Sequence, residues 1–470
     1  MWRPPFLILC LVILFAAPAA AEAPLADAVH GFDGAHLPVW WAVPFSGLLL
    51  SIALLPLVAP SLWHHHYGKV ALGWAVLIIL PSLAHLGLAG TVQELVHVGV
   101  LEYLPFILLL LALFTVAGGL RLDGFFDGTP RSNLTALTVG TGLASITGTT
   151  GAAMLLIRPL IRANAWRSRR VHTMVFFIFL VANIGGSLTP LGDPPLFLGF
   201  LKGVPFFWPT VHLLAPMLVA GAVLLAAYFL VDLRLAAGDG PAPARPPKLL
   251  EGSVNFIFLG AIMGAVLVSG IWQGPVVLSL PGAEVTAQAL MRDGTLVLIT
   301  ILSLLLTPRS ARAANEFTWG PILEVAKLFA AIFVTIVPVL AMLKAGLDGP
   351  FAPIVQAVAD RNGAPVPSAY FWATGILSSF LDNAPTYLVF FNLAGGDPIV
   401  LTTTLVSTLA AISAGAVFMG ANTYIGNAPN FMVRAIAEEM GIRMPSFFGY
   451  LVWSCGILLP VFVLLTLIFF

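Results

Sequence analysis

Asp193 and Asp382 each stand in a stretch almost free of charge, in a motif rich in glycine, proline and threonine or asparagine. Asp193 belongs to Gly186-Ser187-Leu188-Thr189-Pro190-Leu191-Gly192-Asp193-Pro194-Pro195-Leu196-Phe197. A second segment, Gly420-Ala421-Asn422-Thr423-Tyr424-Ile425-Gly426-Asn427-Ala428-Pro429-Asn430-Phe431, repeats the pattern G-x-x-T-x-[LI]-G-[DN]-x-P-x-F, with Gly192 and Gly426 separated by 234 positions. Upstream, Thr149-Thr150-Gly151 matches Asp382-Asn383-Ala384-Pro385-Thr386, with Thr150 and Asn383 separated by 233 positions. The chemistry of this set is that of a small hard cation, which prefers oxygen ligands. Asp193 and Asp382 offer carboxylates, Asn383 and Asn427 offer amide oxygens, and Thr149, Thr150, Thr189, Thr386 and Thr423 offer hydroxyls. Gly192 and Gly426 interrupt helices and free backbone groups for small ions. A carboxylate withdrawn from water can exchange a proton for a cation near neutral pH. Asp382 is expected to be the exchanging group, with Asp193 as second ligand or electrostatic partner. Glu324 and Lys327, three residues apart at a helix start, read as an interfacial ion pair. His64, His65 and His66 read as a solvated loop edge beside Lys69 and not as a metal site, because metal sites need convergent ligands.

The elements that must position these groups are membrane helices. Of 470 residues, 59% are hydrophobic and 9% are charged, against about 25% charged in a soluble domain. That composition excludes a soluble enzyme, a nucleic-acid binder and a disordered chain. Long apolar runs exclude a transmembrane barrel, whose segments are short and alternating. The 44 glycines and 36 prolines are an excess that suits broken helices lining a cavity. Cys10 and Cys455 lie in apolar runs and indicate no disulfide.

Residues 1–21 read as a signal peptide, with Arg3, an apolar run and Ala19-x-Ala21. Ten spans follow at roughly 42–60, 70–89, 101–119, 171–200, 210–232, 253–272, 294–307, 322–343, 398–430 and 446–469. Loops bearing Lys69, Arg121, Arg131, Arg234, Arg245, Lys248, Arg309, Arg312, Arg434 and Arg443 alternate with loops poor in positive charge. The secretory signal points to a multi-pass protein of a prokaryotic inner membrane, and the positive-inside rule supports a periplasmic mature N-terminus. The uncharged region 132–157 has arginines on both flanks, so both ends lie on one side, and it is too short to cross twice. It is expected to be a re-entrant hairpin with its tip at 145–151. The expected organisation is scaffold helices over 22–98, a first repeat over 99–235 with a hairpin at about 132–163 and a broken helix at about 171–200, and a linker with scaffold helices over 236–319. An inverted second repeat would follow over 320–470, with a hairpin at about 367–394 and a broken helix at about 398–430. Inverted repeats with interrupted helices point to a transport site near the bilayer midplane.

The motifs Thr189-Pro190-Leu191-Gly192-Asp193-Pro194-Pro195, Leu381-Asp382-Asn383-Ala384-Pro385-Thr386 and Gly420 to Phe431 resemble those of the ion-transporter superfamily. That group includes arsenite permeases, NhaD-type sodium–proton antiporters, and citrate and dicarboxylate carriers. The resemblance is closest to the branch of sodium–proton antiporters and citrate transporters and covers most of the chain after about residue 40. It implies an all-α, elevator-type homodimer in which a transport domain holds both hairpins and both broken helices. It further implies that the hairpin tips meet the broken helices at Gly192-Asp193 and Gly426-Asn427. The Ser-Asn-Thr tips of dicarboxylate carriers are absent.

The first functional expectation is Na⁺/H⁺ antiport, with those ions as cargo and no cofactor. The alternative is cation-coupled uptake of citrate or a dicarboxylate. Neither repeat core holds an arginine, which favours cations over anions. An intramembrane aspartyl protease would need Gly-x-Gly-Asp where the chain has Pro190-Leu191-Gly192-Asp193, and an enzyme is not expected. The expected partners are lipid and a small inorganic cation, and no nucleic acid.

Overall fold

The computed structural model describes residues 31–470 apart from positions 241, 245 and 246. The signal-peptide reading of 1–21 and the charge of Arg245 lie outside the described residues.

Nearly all of the described chain is helical. Helix α1 (Val43–Val58) leads into α2 (Pro60–His97), a π-helical turn (Val98–Tyr103) and α3 (Leu104–Ala117). Residues Pro60–Ala117 run on as 58 helical residues. At 1.5 Å per residue that is far longer than the roughly 30 Å bilayer core, long enough for two crossings. Gly87, at φ +72° and ψ 177°, is the bend, a backbone state open to glycine. Seven helices in the described residues, this stretch counted once, are long and apolar enough to span a membrane. The ten expected crossings differ from these seven because 70–89 and 101–119 fall within this one run, and because 171–200 and 398–430 are broken into pieces too short to qualify.

The two hairpins are formed. Helix α4 (Pro130–Thr147) starts at Pro130 after Thr129, whose hydroxyl accepts from Ser132 N. It stops at Gly148, φ +77°, and α5 (Thr149–Ala163) begins at once. Much later, α14 (Pro367–Phe380) stops at Leu381 and α15 (Asn383–Leu393) begins after Asp382.

Both broken helices are present too. Helix α6 (Val171–Leu180) unwinds through residues 181–193, and α7 (Pro194–Leu201) resumes at Pro194. Helix α17 (Val406–Met419) unwinds at residues 420–427 before α18 (Ala428–Glu439). The second break differs from the expected 398–430 in its limits. Asp397 caps a separate short helix, α16 (Pro398–Thr403), and α17 starts afresh at Val406.

The remaining long helices are α8 (Trp208–Ala236), α9 (Val254–Ile271), α10 (Ala287–Leu306), α12 (Gly320–Lys344) and α19 (Phe447–Phe469). Short helices α11 (Arg309–Ala314) and α13 (Ala352–Ala357) join them. Two small antiparallel ribbons pair β1 (Arg121–Asp123) with β2 (Leu249–Glu251) and β3 (Val276–Leu280) with β4 (Ala283–Thr286). Helices α3 and α12 flank the hairpin elements, α3 against α5 and α7 and α12 against α15. Large apolar side chains such as Val58, Phe448, Val452 and Leu467 point outward with more than seven-tenths of their surface exposed. Such a surface suits lipid and not water.

Two local readings change. His64, His65 and His66 lie on the first turns of α2, exposed, and not in a loop. Among the described residues no group of three or more His, Cys, Asp or Glu could hold a metal. Glu324 and Lys327 do not pair with one another. Glu324 turns to Trp63 and His64, and the Lys327 ammonium sits 5.3 Å from the Tyr67 ring centroid. Both acquire partners from α2, which packs along α12.

Candidate functional site

Each of the two unwound segments folds back on its own backbone. A Cβ on Gly192 would lie 2.1 Å from Gly186 O, and one on Gly426 would lie 2.5 Å from Gly420 O. Threonine hydroxyls tie each segment to its own hairpin: Thr189 Oγ1 donates to Ser145 O, and Thr423 Oγ1 donates to Ser379 O at 2.5 Å. Ser145 Oγ donates to Gly185 O and Ser379 Oγ to Met419 O. Ser145 Oγ also accepts from Leu188 N, as Ser379 Oγ accepts from Asn422 Nδ2. Each bond in one half thus has its counterpart 234 positions on. This register pairs Thr149 with Asn383 and Asp193 with Asn427. The tip match of 233 is therefore one residue out of step with the hydrogen bonding.

The paired positions meet at one carboxylate. Asp193 is buried to 1% exposure. Its Oδ1 accepts from Thr149 Oγ1 at 2.9 Å and from Asn427 Nδ2 at 3.3 Å, and its Oδ2 accepts from Asn383 Nδ2 at 2.7 Å. Thr149 N also donates to Gly192 O at 2.8 Å. Asn383 is held in place through its Oδ1, which accepts from Ser378 Oγ at 2.7 Å. Among the described residues Asp193 makes no ion pair.

These four residues stand at helix starts. Thr149 opens α5 and Asn383 opens α15, while Asp193 and Asn427 occupy the N-cap positions of α7 and α18. Neither N-cap side chain caps its own helix. Four half-helices therefore turn their N-terminal, electropositive ends toward one carboxylate. The carboxylate takes its three hydrogen bonds from uncharged side chains.

The other expected site residues are placed differently. Asp382 caps its own helix, Oδ1 accepting from Ala384 N at 3.1 Å. Thr386 bonds back to Asp382 O at 3.0 Å, within its helix. Thr189, Thr423, Gly192 and Gly426 shape the unwound segments around the hub. Thr150 and Gly192, with Thr149 and Asp193, line a cavity of about 100 Å³. Its opposite wall is apolar, with Phe106, Leu109 and Leu113 of α3 and Ile322 and Val325 of α12. No lysine or arginine lines it.

Several residues that reasoning from the sequence passed over support the hub. Asn183 Nδ2 donates to Asn430 Oδ1 at 2.6 Å, and Asn427 Nδ2 also reaches Ala182 O and Asn183 Oδ1. Asn430 Nδ2 donates to Gly420 O and Thr423 O at 2.8 Å each. This is amide cross-bracing between the two breaks. The 234-residue offset would have exposed Ser145 and Ser379 as a pair, and Asn430 lies inside the second motif.

Comparison with curated proteins found no match. The family model described as "Putative citrate transport" matches residues 34–470. Spanning helices, interrupted helices and that match together show that the chain belongs to this transport family.

Proposed function

We propose that the protein is a secondary transporter that moves citrate or a related organic anion together with a small cation, with Asp193 as the group at which cation and proton compete. The observation that carries this reading is the Asp193 hub, one buried carboxylate facing four helix N-termini with no basic side chain. The helix N-termini favour carboxylate groups of a substrate. The absence of lysine and arginine requires that a multiply charged anion bring neutralising cations, and Asp193 supplies an oxygen ligand for one. The family description supports the organic anion.

A second reading, Na⁺/H⁺ exchange without an organic acid, is favoured by the cavity. At about 100 Å³ it is smaller than the roughly 300 Å³ of ordinary small-molecule pockets, and it suits a partly hydrated ion.

Proteoliposomes containing the purified chain decide between them. Labelled citrate should accumulate under an imposed Na⁺ or H⁺ gradient. An internal pH dye that responds to Na⁺ or Li⁺ alone, with no citrate uptake, would establish the second reading.

A further inference from the structure

Helices α5 and α7 both start at the hub and run away from it, and each is tied at its far end to the elements that flank it. Lys202 directly follows α7, and its Nζ lies 2.5 Å from Glu102 Oε1 in the π-helical turn before α3. Arg158 of α5 places Nη2 2.6 Å from Glu316 Oε2 in the turn between α11 and α12. That turn adjoins the other end of α3, because Asn315 Nδ2 donates to Gly118 O and Leu120 O and Phe317 stacks by Phe114. One ion pair thus closes each end of α3, and the cavity lies between them.

Two further observations concern how these pairs could open. Glu316 has φ +50°, the one non-glycine residue with positive φ among the described residues. Such a strained conformation is kept where the surroundings impose it. Each buried partner also has a second, oppositely charged group at hand. Arg158 Nη2 lies 3.7 Å from Glu439 Oε2, at the end of α18. Lys344, the last residue of α12, lies within electrostatic reach of Glu102. Arg158 and Glu102 are the less exposed members of their pairs, at 9% and 10%. A buried charge left without a partner is costly.

We propose that Glu102–Lys202 and Arg158–Glu316 are reversible latches holding the site-bearing helices against α3. On release Glu102 passes to Lys344 and Arg158 to Glu439, so that no buried charge is left alone. This rests on the transport reading above, joined to the elevator movement that the resemblance implies, here taken as α5, α7 and α18 moving relative to α3 and α12. Glu316 and Lys202 are exposed enough for salt to weaken both latches.

The labelling part of the test needs no substrate. In the full chain carrying Cys10→Ser and Cys455→Ser, Leu110→Cys places a thiol on the cavity face of α3. Its rate of reaction with a membrane-impermeant maleimide should rise several-fold in Glu102→Gln or Glu316→Gln at low ionic strength. High salt should bring the unmutated latches to the same rate. Glu102→Lys combined with Lys202→Glu should restore slow labelling. Glu439→Gln or Lys344→Met should lower the maximal transport rate several-fold with KM unchanged. Unchanged labelling in both latch variants, with each protein monodisperse on size exclusion, would overturn the latches. Labelling that responds as expected in a protein that moves no citrate would refute the substrate assignment and leave the latches standing.

Discussion

At the scale of single residues, the two membrane aspartates divide their work. Asp382 satisfies a helix start, for which asparagine is an equally good cap. Asp382→Asn should therefore keep most transport, whereas Asp382→Ala should lower stability by about 1 kcal/mol, the usual worth of a cap. Asp193 caps nothing and collects three donors. Asp193→Asn should reduce transport to background in proteoliposomes with the protein still folded, since the lower cost of burying a neutral amide offsets the donor it turns toward a group that donates to Asp193. Transport by folded Asp193→Asn at the unmutated rate would sink the assignment. Asp193 was legible because a charge in an apolar stretch declares itself. Asn183 and Asn430 were not, because an uncharged amide in a helical run gains its meaning from a partner 247 residues away. The weighting between Asp193 and Asp382 also could not be read from the chain. It depends on which way each carboxyl turns from its N-cap position.

At the scale of elements, the breaks depend on the absence of side chains. Gly192→Ala would drive a Cβ into Gly186 O, and Gly426→Ala into Gly420 O. Each should cost about 1–3 kcal/mol, seen as a lower melting temperature in detergent. Gly221→Ala in α8, where nothing lies within 4 Å of the added carbon, should be tolerated. Beyond α8, Asp239 binds the loop after α5: hydrogen bonds from the Ser168 hydroxyl and amide, then Arg167, bring its carboxyl down to about 2 from 3.8. Since the folded pKa is the lower one, this clasp is complete above about pH 4 and is lost as pH falls toward 2. Amide exchange at Ser168, corrected for intrinsic rates, should show protection disappearing across that window. Steady protection down to pH 2 would remove Asp239 as its cause. A helix break near residue 148 was legible at this scale, since arginines on both flanks of an uncharged 132–157 ask for a turn inside it. The start of the second broken helix was not. Hydropathy runs straight through residues 398–430 and does not register that Asp397 caps a separate helix.

At the scale of the whole molecule, the inverted-repeat proposal places the two hairpins in opposite orientations in the bilayer. Thiols introduced by Arg131→Cys and Ala165→Cys, at the base of the first hairpin, should react from one side only. Those introduced by Arg361→Cys and Ile399→Cys, flanking the second hairpin, should react from the other side only. All four positions are exposed. Reaction of all four from one face would end the inverted-repeat reading. The helical class was readable from composition alone. The electropositive character of the hub was not, since no residue carries it and it arises only where four helix starts converge.

The exchange of one letter between the two breaks, aspartate at 193 and asparagine at 427, bears on how the membrane voltage acts. Of the two paired N-cap positions, 193 carries an acid and 427 does not. In the proposed cycle a site returning empty carries one negative charge unless a proton neutralises it. A unit charge moved through the field is worth about 2.3 kcal/mol per 100 mV. The same site loaded with one monovalent cation is electrically neutral, and only the charge of the accompanying anion then responds to voltage. Restoring the symmetry with Asn427→Asp would add a second charge to every step. The current–voltage relation of reconstituted protein should steepen accordingly, and an unchanged slope would place residue 427 outside the moving charge.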